Sequence, residues 1–237
     1  MKTKVLALIF AACVAGAFTA HGQGTVVVND PTKDEAETEA KLSVADDAIL
    51  KGEVIPKIKK RVKSEVCEPD VDVAGHAHGA FSRPGAKQVL VFYQYCQTGN
   101  GFGWVGLMLI ENGKLVGNFL SESGWSASIN AVPDVNQNGL DEFVLSYTGG
   151  MHQGQGGVGA DLMEFSGGMP KGLGWFQAES FGETEAITAW KVTAAPGKIP
   201  VFYKQKYFSG ENQKFRRVGG NLAFKLGKPY STFEVVK

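Results

Sequence analysis

The chain has 237 residues, with 24 Lys and Arg balanced by 24 Asp and Glu, and it contains 31 Gly, 9 Pro, 3 Cys, 4 Trp, 6 Tyr and 15 Phe. A hydrophobic fraction of 43% at this length supports a packed core of one domain or two small ones. Zero net charge with only 20% charged residues gives no case for a nucleic-acid binder or a polybasic membrane surface. The glycine excess lacks the every-third-residue period of collagen and points instead to many tight turns.

Lys2 and Lys4 precede an apolar run, Val5 to Phe18, that is too short to span a bilayer comfortably. Ala20-His21-Gly22 then puts small residues at the −3 and −1 positions of a cut before Gln23, the layout of a secretory signal peptide over residues 1–22. The expected location is secreted or periplasmic. The alternative is a lipid anchor through Cys13, although Phe10 is a poor residue three places before it. No other stretch has membrane-spanning length. Beyond the cut only Cys67 and Cys96 remain, so an oxidising compartment makes a Cys67–Cys96 disulfide the natural expectation and a pair of buried thiols its competitor.

Residues 23–74 form a charged segment. Residues 33–68 hold 17 of the 48 charged side chains, acidic first (Asp34, Glu35, Glu37, Glu39, Asp46, Asp47) and basic later (Lys57, Lys59, Lys60, Arg61, Lys63). Leu42, Ala45, Ile49 and Leu50, and then Val54, Ile58 and Val62, recur at helical spacing, with Gly52 and Pro56 between them. The pattern predicts one or two short helices behind a flexible start, the basic run being a solvated helix face.

Residues 75–237 read as a β-repeat domain. Short β-branched and aromatic runs alternate with Gly, Asn and Pro clusters: QVLVFYQY (88–95), WVGLMLI (104–110), EFVLSY (142–147), DLMEF (161–165), IPVFYKQKY (199–207) and FEVV (233–236). Asn112-Gly113, Gly167-Gly168 and Gly219-Gly220 stand where hairpin turns belong. Three segments align: Gly85-Ala-Lys-Gln-Val-Leu-Val, Gly139-Leu-Asp-Glu-Phe-Val-Leu and Gly197-Lys-Ile-Pro-Val-Phe-Tyr. The expected fold is mainly β, propeller-like or a meander of antiparallel sheets, built from about three repeats of roughly 55 residues, with a short charged helical N-terminal segment.

The strongest motif is Pro133-Asp134-Val135-Asn136-Gln137-Asn138-Gly139-Leu140-Asp141-Glu142-Phe143-Val144-Leu145. Side-chain oxygens fall at positions 1, 3 and 5 (Asp134, Asn136, Asn138), glycine at position 6 permits the bend, and Glu142 stands at position 9. A hard cation needs about six to eight oxygens, and alternate side chains on a tight loop supply them together with the Leu140 carbonyl. An EF-hand is excluded, because position 12 is Leu145 and the loop runs into a strand. The segment resembles the calcium loop of FG-GAP and VCBS-type repeats, with Asn138 in place of the usual Asp and Glu142 longer than the usual Asp. That resemblance implies a propeller-like fold and one structural Ca²⁺ held by Asp134, Asn136, Asn138, Leu140 and Glu142, with Asp141 pointing away. The scarcity of charge predicts weak affinity, on the order of 10⁻⁴–10⁻³ M. An Asn-Gly turn whose side chains cap their own backbone uses the same residues without a metal.

On a strand His76 and His78 in Ala74-Gly75-His76-Ala77-His78-Gly79 would share a face and could begin a zinc site, but no Cys, Asp or Glu completes it at a recognisable spacing; they are expected in a turn, and His152 in a Gly-rich loop. Trp104, Trp125, Trp175 and Trp190 are candidates for blade packing or for stacking on sugars. No nucleophile elbow, zinc-protease helix, phosphate loop or dinucleotide fingerprint is present. The sequence therefore predicts an exported, non-catalytic β-repeat protein with one Ca²⁺ loop and a binding or scaffold role toward a protein or glycan. A secreted carbohydrate-binding protein or hydrolase that uses the Gly- and aromatic-rich loops is the alternative.

Overall fold

A computed structural model describes residues 24–33, 41–62, 70–98, 102–122, 126–148, 156–182, 186–210 and 214–237. The segment expected to be a signal peptide, Cys67, Trp125 and His152 lie outside the described residues. No helix among the described residues is long and apolar enough to cross a membrane.

The molecule is mainly β and its described strands fall into two antiparallel sheets. Strands β2 (Val71–Gly79), β3 (Gln88–Tyr95), β4 (Trp104–Glu111) and β5 (Lys114–Glu122) form a meander, and β13 (Glu234–Val235) adds to its outer edge on β5. The second sheet is one continuous meander of β6 (Ser126–Val132), β7 (Glu142–Thr148), β8 (Gly156–Ser166), β9 (Met169–Phe181), β10 (Ile187–Ala195), β11 (Val201–Ser209) and β12 (Arg216–Phe224). Meander topology follows from the short Gly-containing connections, which allow antiparallel neighbours only. Gly113, at φ 69°, and Gly168, at φ 77°, turn the β4–β5 and β8–β9 hairpins as expected.

Three expectations change. The aligned Gly85, Gly139 and Gly197 segments do lead into strands β3, β7 and β11, but β7 and β11 belong to the same sheet, which continues through a short β9–β10 pairing at Ile187–Phe181, Thr188–Ser180 and Ala189–Glu179. Gly219-Gly220 is no hairpin: it lies within β12, where the register slips between Gln205 and Lys206. The Gln205 amide nitrogen donates to the carbonyls of Val218 and Gly219 at 2.9 and 3.3 Å and so fills that bulge. The N-terminal start is not flexible throughout, because Val26–Asn29 forms β1. A run of three valines favours extended backbone, and β1 pairs with β10 from Val26–Ala194 onward.

The helical segment is one run: α1 (Val44–Ile49), a π-helical turn (Leu50–Val54) and α2 (Ile55–Arg61). Ser43 caps it, its hydroxyl accepting from the Asp46 N–H at 3.1 Å. Asp46 and Asp47 in the first turn and Lys59, Lys60 and Arg61 in the last follow the helix dipole. The π turn carries the chain into α2, where Pro56 stands near the start and supplies no N–H to the turn before it. Leu50, Val54 and Ile58 are buried against Val91, Tyr93, Met108 and Ile110 of the five-stranded sheet. The other face of that sheet (Leu90, Phe92, Leu107, Leu109) packs on Phe143, Leu145, Met163 and Phe165 of the long sheet. The long sheet then curls, burying Val144, Ala160, Leu162, Phe176, Val192 and Val28 in a third core on its concave side. Strand β7 is consequently apolar on both faces, which is why EFVLSY reads as a continuous run. The boundary expected at residue 74 falls inside β2, where the strand bulges between Val73 and Gly75.

Candidate metal loop

The loop 133–141 connects β6 to β7 at one end of the curled sheet. Its turn is built by side chains accepting from its own backbone. Asp134 receives the Asn138 N–H at 3.1 Å on Oδ1 and the Gly139 N–H at 2.7 Å on Oδ2. Asn136 Oδ1 receives the Asn138 N–H at 3.1 Å, and Asn138 Oδ1 receives the Leu140 N–H at 2.8 Å. Gln137, at φ 59°, and Gly139, at φ 88°, take the left-handed conformations that such a sharp bend requires. Every oxygen in this set keeps a second lone pair for another partner.

Glu142 opens β7 and is fully buried. Its Oε2 accepts the Val135 N–H at 2.8 Å, and its Oε1 has no partner. Burial, followed by the nearby negative charges of Asp134 and Glu164, raises its carboxyl to about 7. Glu164 enters through β8: the β7–β8 ladder begins at Phe143–Met163, so one step further along it Glu142 and Glu164 oppose each other on the same face. Like charges in that relation repel. The Glu164 Oε2 in turn accepts the amide N–H groups of Asn136 and Asn138 at 2.8 and 2.9 Å, which fixes both amides with their Oδ1 atoms turned to the loop.

The sequence-predicted residues Asp134, Asn136, Asn138 and Glu142 are thus brought to one loop, with the Leu140 N–H held by Asn138. Asp141 does point away: its Oδ2 accepts the Ala80 N–H at 2.7 Å and its own N–H reaches the Ala80 carbonyl at 3.2 Å, joining the loop to the end of β2. Glu164 escaped the sequence reading. The only signal for it was a second Glu within an apolar strand, and its relation to Glu142 becomes visible once β7 and β8 are paired. Among the described residues no three His, Cys, Asp or Glu side chains could hold a metal by themselves. Any ion here would depend on the two asparagines as well.

Beside the loop opens a cavity of about 550 Å³, whose lining includes Asn136, Asn138, Glu164, Leu173, Lys198 and Phe202.

The chain matches no protein-family model, and no curated protein or solved structure matches it. The likeness to FG-GAP and VCBS repeats therefore rests on the sequence Pro133–Leu145 alone.

The histidines depart from expectation. His76 and His78 lie within β2, not in a turn, with their rings 5.5 Å apart and edge to face, and His76 Nδ1 is buried without a partner. Trp104 packs against the helix-side core, and Trp175 exchanges two backbone hydrogen bonds with Gly227 at 2.7 and 3.0 Å.

Proposed function

We propose that the protein is an exported, non-catalytic β-protein whose Asp134 loop binds one Ca²⁺ ion, stabilising the join between β6, β7 and β8 and serving a binding or scaffold role. The observation that carries this reading is Glu142 Oε1, a buried carboxylate oxygen without a partner, set near Asp134 and opposite Glu164. A cation would neutralise that cluster and supply the missing partner. The ligands would be the side-chain oxygens of Asp134, Asn136, Asn138 and Glu142 with the Leu140 carbonyl. Glu164 would act behind them, holding the asparagine amides, as partners behind a ligand commonly do. Its charge would also attract a cation to the loop.

Calorimetric titration with CaCl₂, with a thermal melt in parallel, tests this reading. One site per chain and a rise in melting temperature are expected, both lost in Asp134→Ala. Glu164→Gln is expected to weaken binding about 10- to 100-fold without abolishing it. An unchanged melting temperature at millimolar Ca²⁺ would leave the loop as a self-capped turn.

A further inference from the structure

The charge balance of the whole chain is not local. From Lys198 to Lys228 there are eight Lys and Arg and one acid, Glu211, so the rest of the chain carries the compensating negative charge. This span covers the turn before β11, the edge strand β12 with its neighbour β11, and the segment that follows. Eight of the nine residues of β12 are exposed.

Register decides which side the charges take. Directly paired residues share a face of the sheet. Ala194, Phe202 and Phe224 form one cross-strand row, and Ala194 and Phe202 belong to the concave core. The next rows along the same face are Val192–Lys204–Leu222, Trp190–Lys206–Val218 and Thr188–Phe208–Arg216. The concave face therefore changes from an apolar core at one end of β10–β12 to an open basic and aromatic surface at the other. Leu222 is 62% and Val218 45% exposed there. Among the described residues, none of Lys204, Lys206 and Arg216 lies within ion-pair distance of a carboxylate. Lys204 Nζ instead sits 5.3 Å from the Phe224 ring centre. Same-face positions recur about every 6.6 Å along a strand, so the cations form a ladder and not a point.

We propose that this face binds a linear anionic polysaccharide, with carboxylate or sulfate groups on Lys204, Lys206 and Arg216 and a sugar ring against Trp190. A ladder of cations with an aromatic ring beside it matches an extended polyanion better than a single small anion. The cations run in a line along β11 and β12, an arrangement that suits an extended chain better than a planar lipid surface. Choosing a polysaccharide over single-stranded RNA, which uses similar chemistry, rests on the reading that the protein is exported; it does not rest on the metal loop.

The test is binding of the full protein to a sulfated polysaccharide, a polyuronate, neutral dextran, poly(U) and anionic phospholipid vesicles, each at two salt concentrations. Both charged polysaccharides are expected to bind, more weakly at high salt, and dextran is not. Lys204→Ala/Lys206→Ala/Arg216→Ala is expected to weaken that binding about tenfold or more. Lys57→Ala/Lys59→Ala/Lys60→Ala on α2, a basic run elsewhere on the molecule, is expected to leave it unchanged. Trp190→Phe is expected to retain the fold and part of the binding, Trp190→Ala to lose more. Equal losses in the strand and helix variants, no binding to either charged polysaccharide, vesicle binding, or tighter binding to poly(U) at matched salt would overturn the proposal. N-terminal sequencing of the expressed protein separates the two readings: an uncut leader sinks export, while selective polysaccharide binding would still uphold the face.

Discussion

Glu142 shows how one buried carboxylate can make stability depend on both pH and metal. Its folded-state carboxyl is raised from 4.5 to about 7. A raised acid binds its proton more tightly folded than unfolded, so its stabilising contribution is complete below about pH 4.5 and is lost as pH rises through 7. In metal-free protein the melting temperature is expected to fall across pH 4.5–7 through this group, by an amount equivalent to about 3 kcal/mol at most. Glu142→Gln is expected to flatten that part of a melting curve measured in chelator. The same substitution should remove any gain from Ca²⁺. At this scale the sequence was informative where chemistry is local: Asp134, Asn136, Asn138 and Glu142 are close in the chain, and a turn that closes on itself leaves its residues in readable spacing. Glu164 was hidden because only strand pairing puts it there. The histidines were misplaced for a different reason. Gly75 and Gly79 looked like turn residues, yet they serve close approach within a strand: a Cβ on Gly75 would lie 3.2 Å from Ile129, and one on Gly79 would lie 2.9 Å from the Asp141 carboxylate.

Among elements, the helix and the central strands were legible because their apolar periods are strong. The helix was expected to break at Gly52 and Pro56; a π turn carries it through instead, so Leu50, Val54 and Ile58 present one stripe to the five-stranded sheet. Ile58 is fully buried there. Ile58→Ala should cost about 2–5 kcal/mol in a denaturant melt, whereas Lys59→Ala on the exposed side should be nearly neutral. A smaller effect at Ile58 would mean that the helix docks loosely. In the C-terminal segment FEVV was legible as a strand, but its attachment was not. The segment is held by Asp161, a fully buried carboxylate that accepts the N–H groups of Tyr230 at 3.0 Å and Ser231 at 2.7 Å. No pattern in residues 225–237 announces that anchor, since its acceptor lies some 70 residues earlier.

For the whole molecule, the expected repeat of about 55 residues matched the starts of β3, β7 and β11 and the turns at Gly113 and Gly168, failed at the third hairpin, and was a poor guide to assembly. Similar strand lengths and turns produce such spacing whether the sheets separate into blades or run on. Here β6–β12 run on. The cysteines also belong at this scale. Cys96 is buried, at φ 56°, immediately after β3. Pairing with Cys67 is the expectation for an exported chain, and it would tie the segment after α2 to the five-stranded sheet. A thiol assay on the leaderless protein, unfolded without reductant, should then find no reactive cysteine, and reduction should destabilise by about 3 kcal/mol. Two titratable thiols would exclude the bond.

Strand β1 has a further consequence, for the timing of folding. It occupies the edge of β10 beyond the point where β9 leaves it, and it is fastened by Lys191 to Asp30 at 2.6 Å and by Asn29 to the Trp190 carbonyl at 2.7 Å, contacts spanning 161 positions of the chain. A ribosome that has made every residue through β9 has still not made the partner of the first strand. Strand β1 is thus made long before it can be placed, and Val28 cannot enter the concave core until β10 exists. Such long-range closure is slow compared with local hairpin formation. Nascent chains stalled before residue 190 are expected to leave Val26–Asn29 open to protease, and chains extended past β12 to protect it. A chain arranged in this way keeps its long sheet open until β10 has been made, long after β1 has left the ribosome.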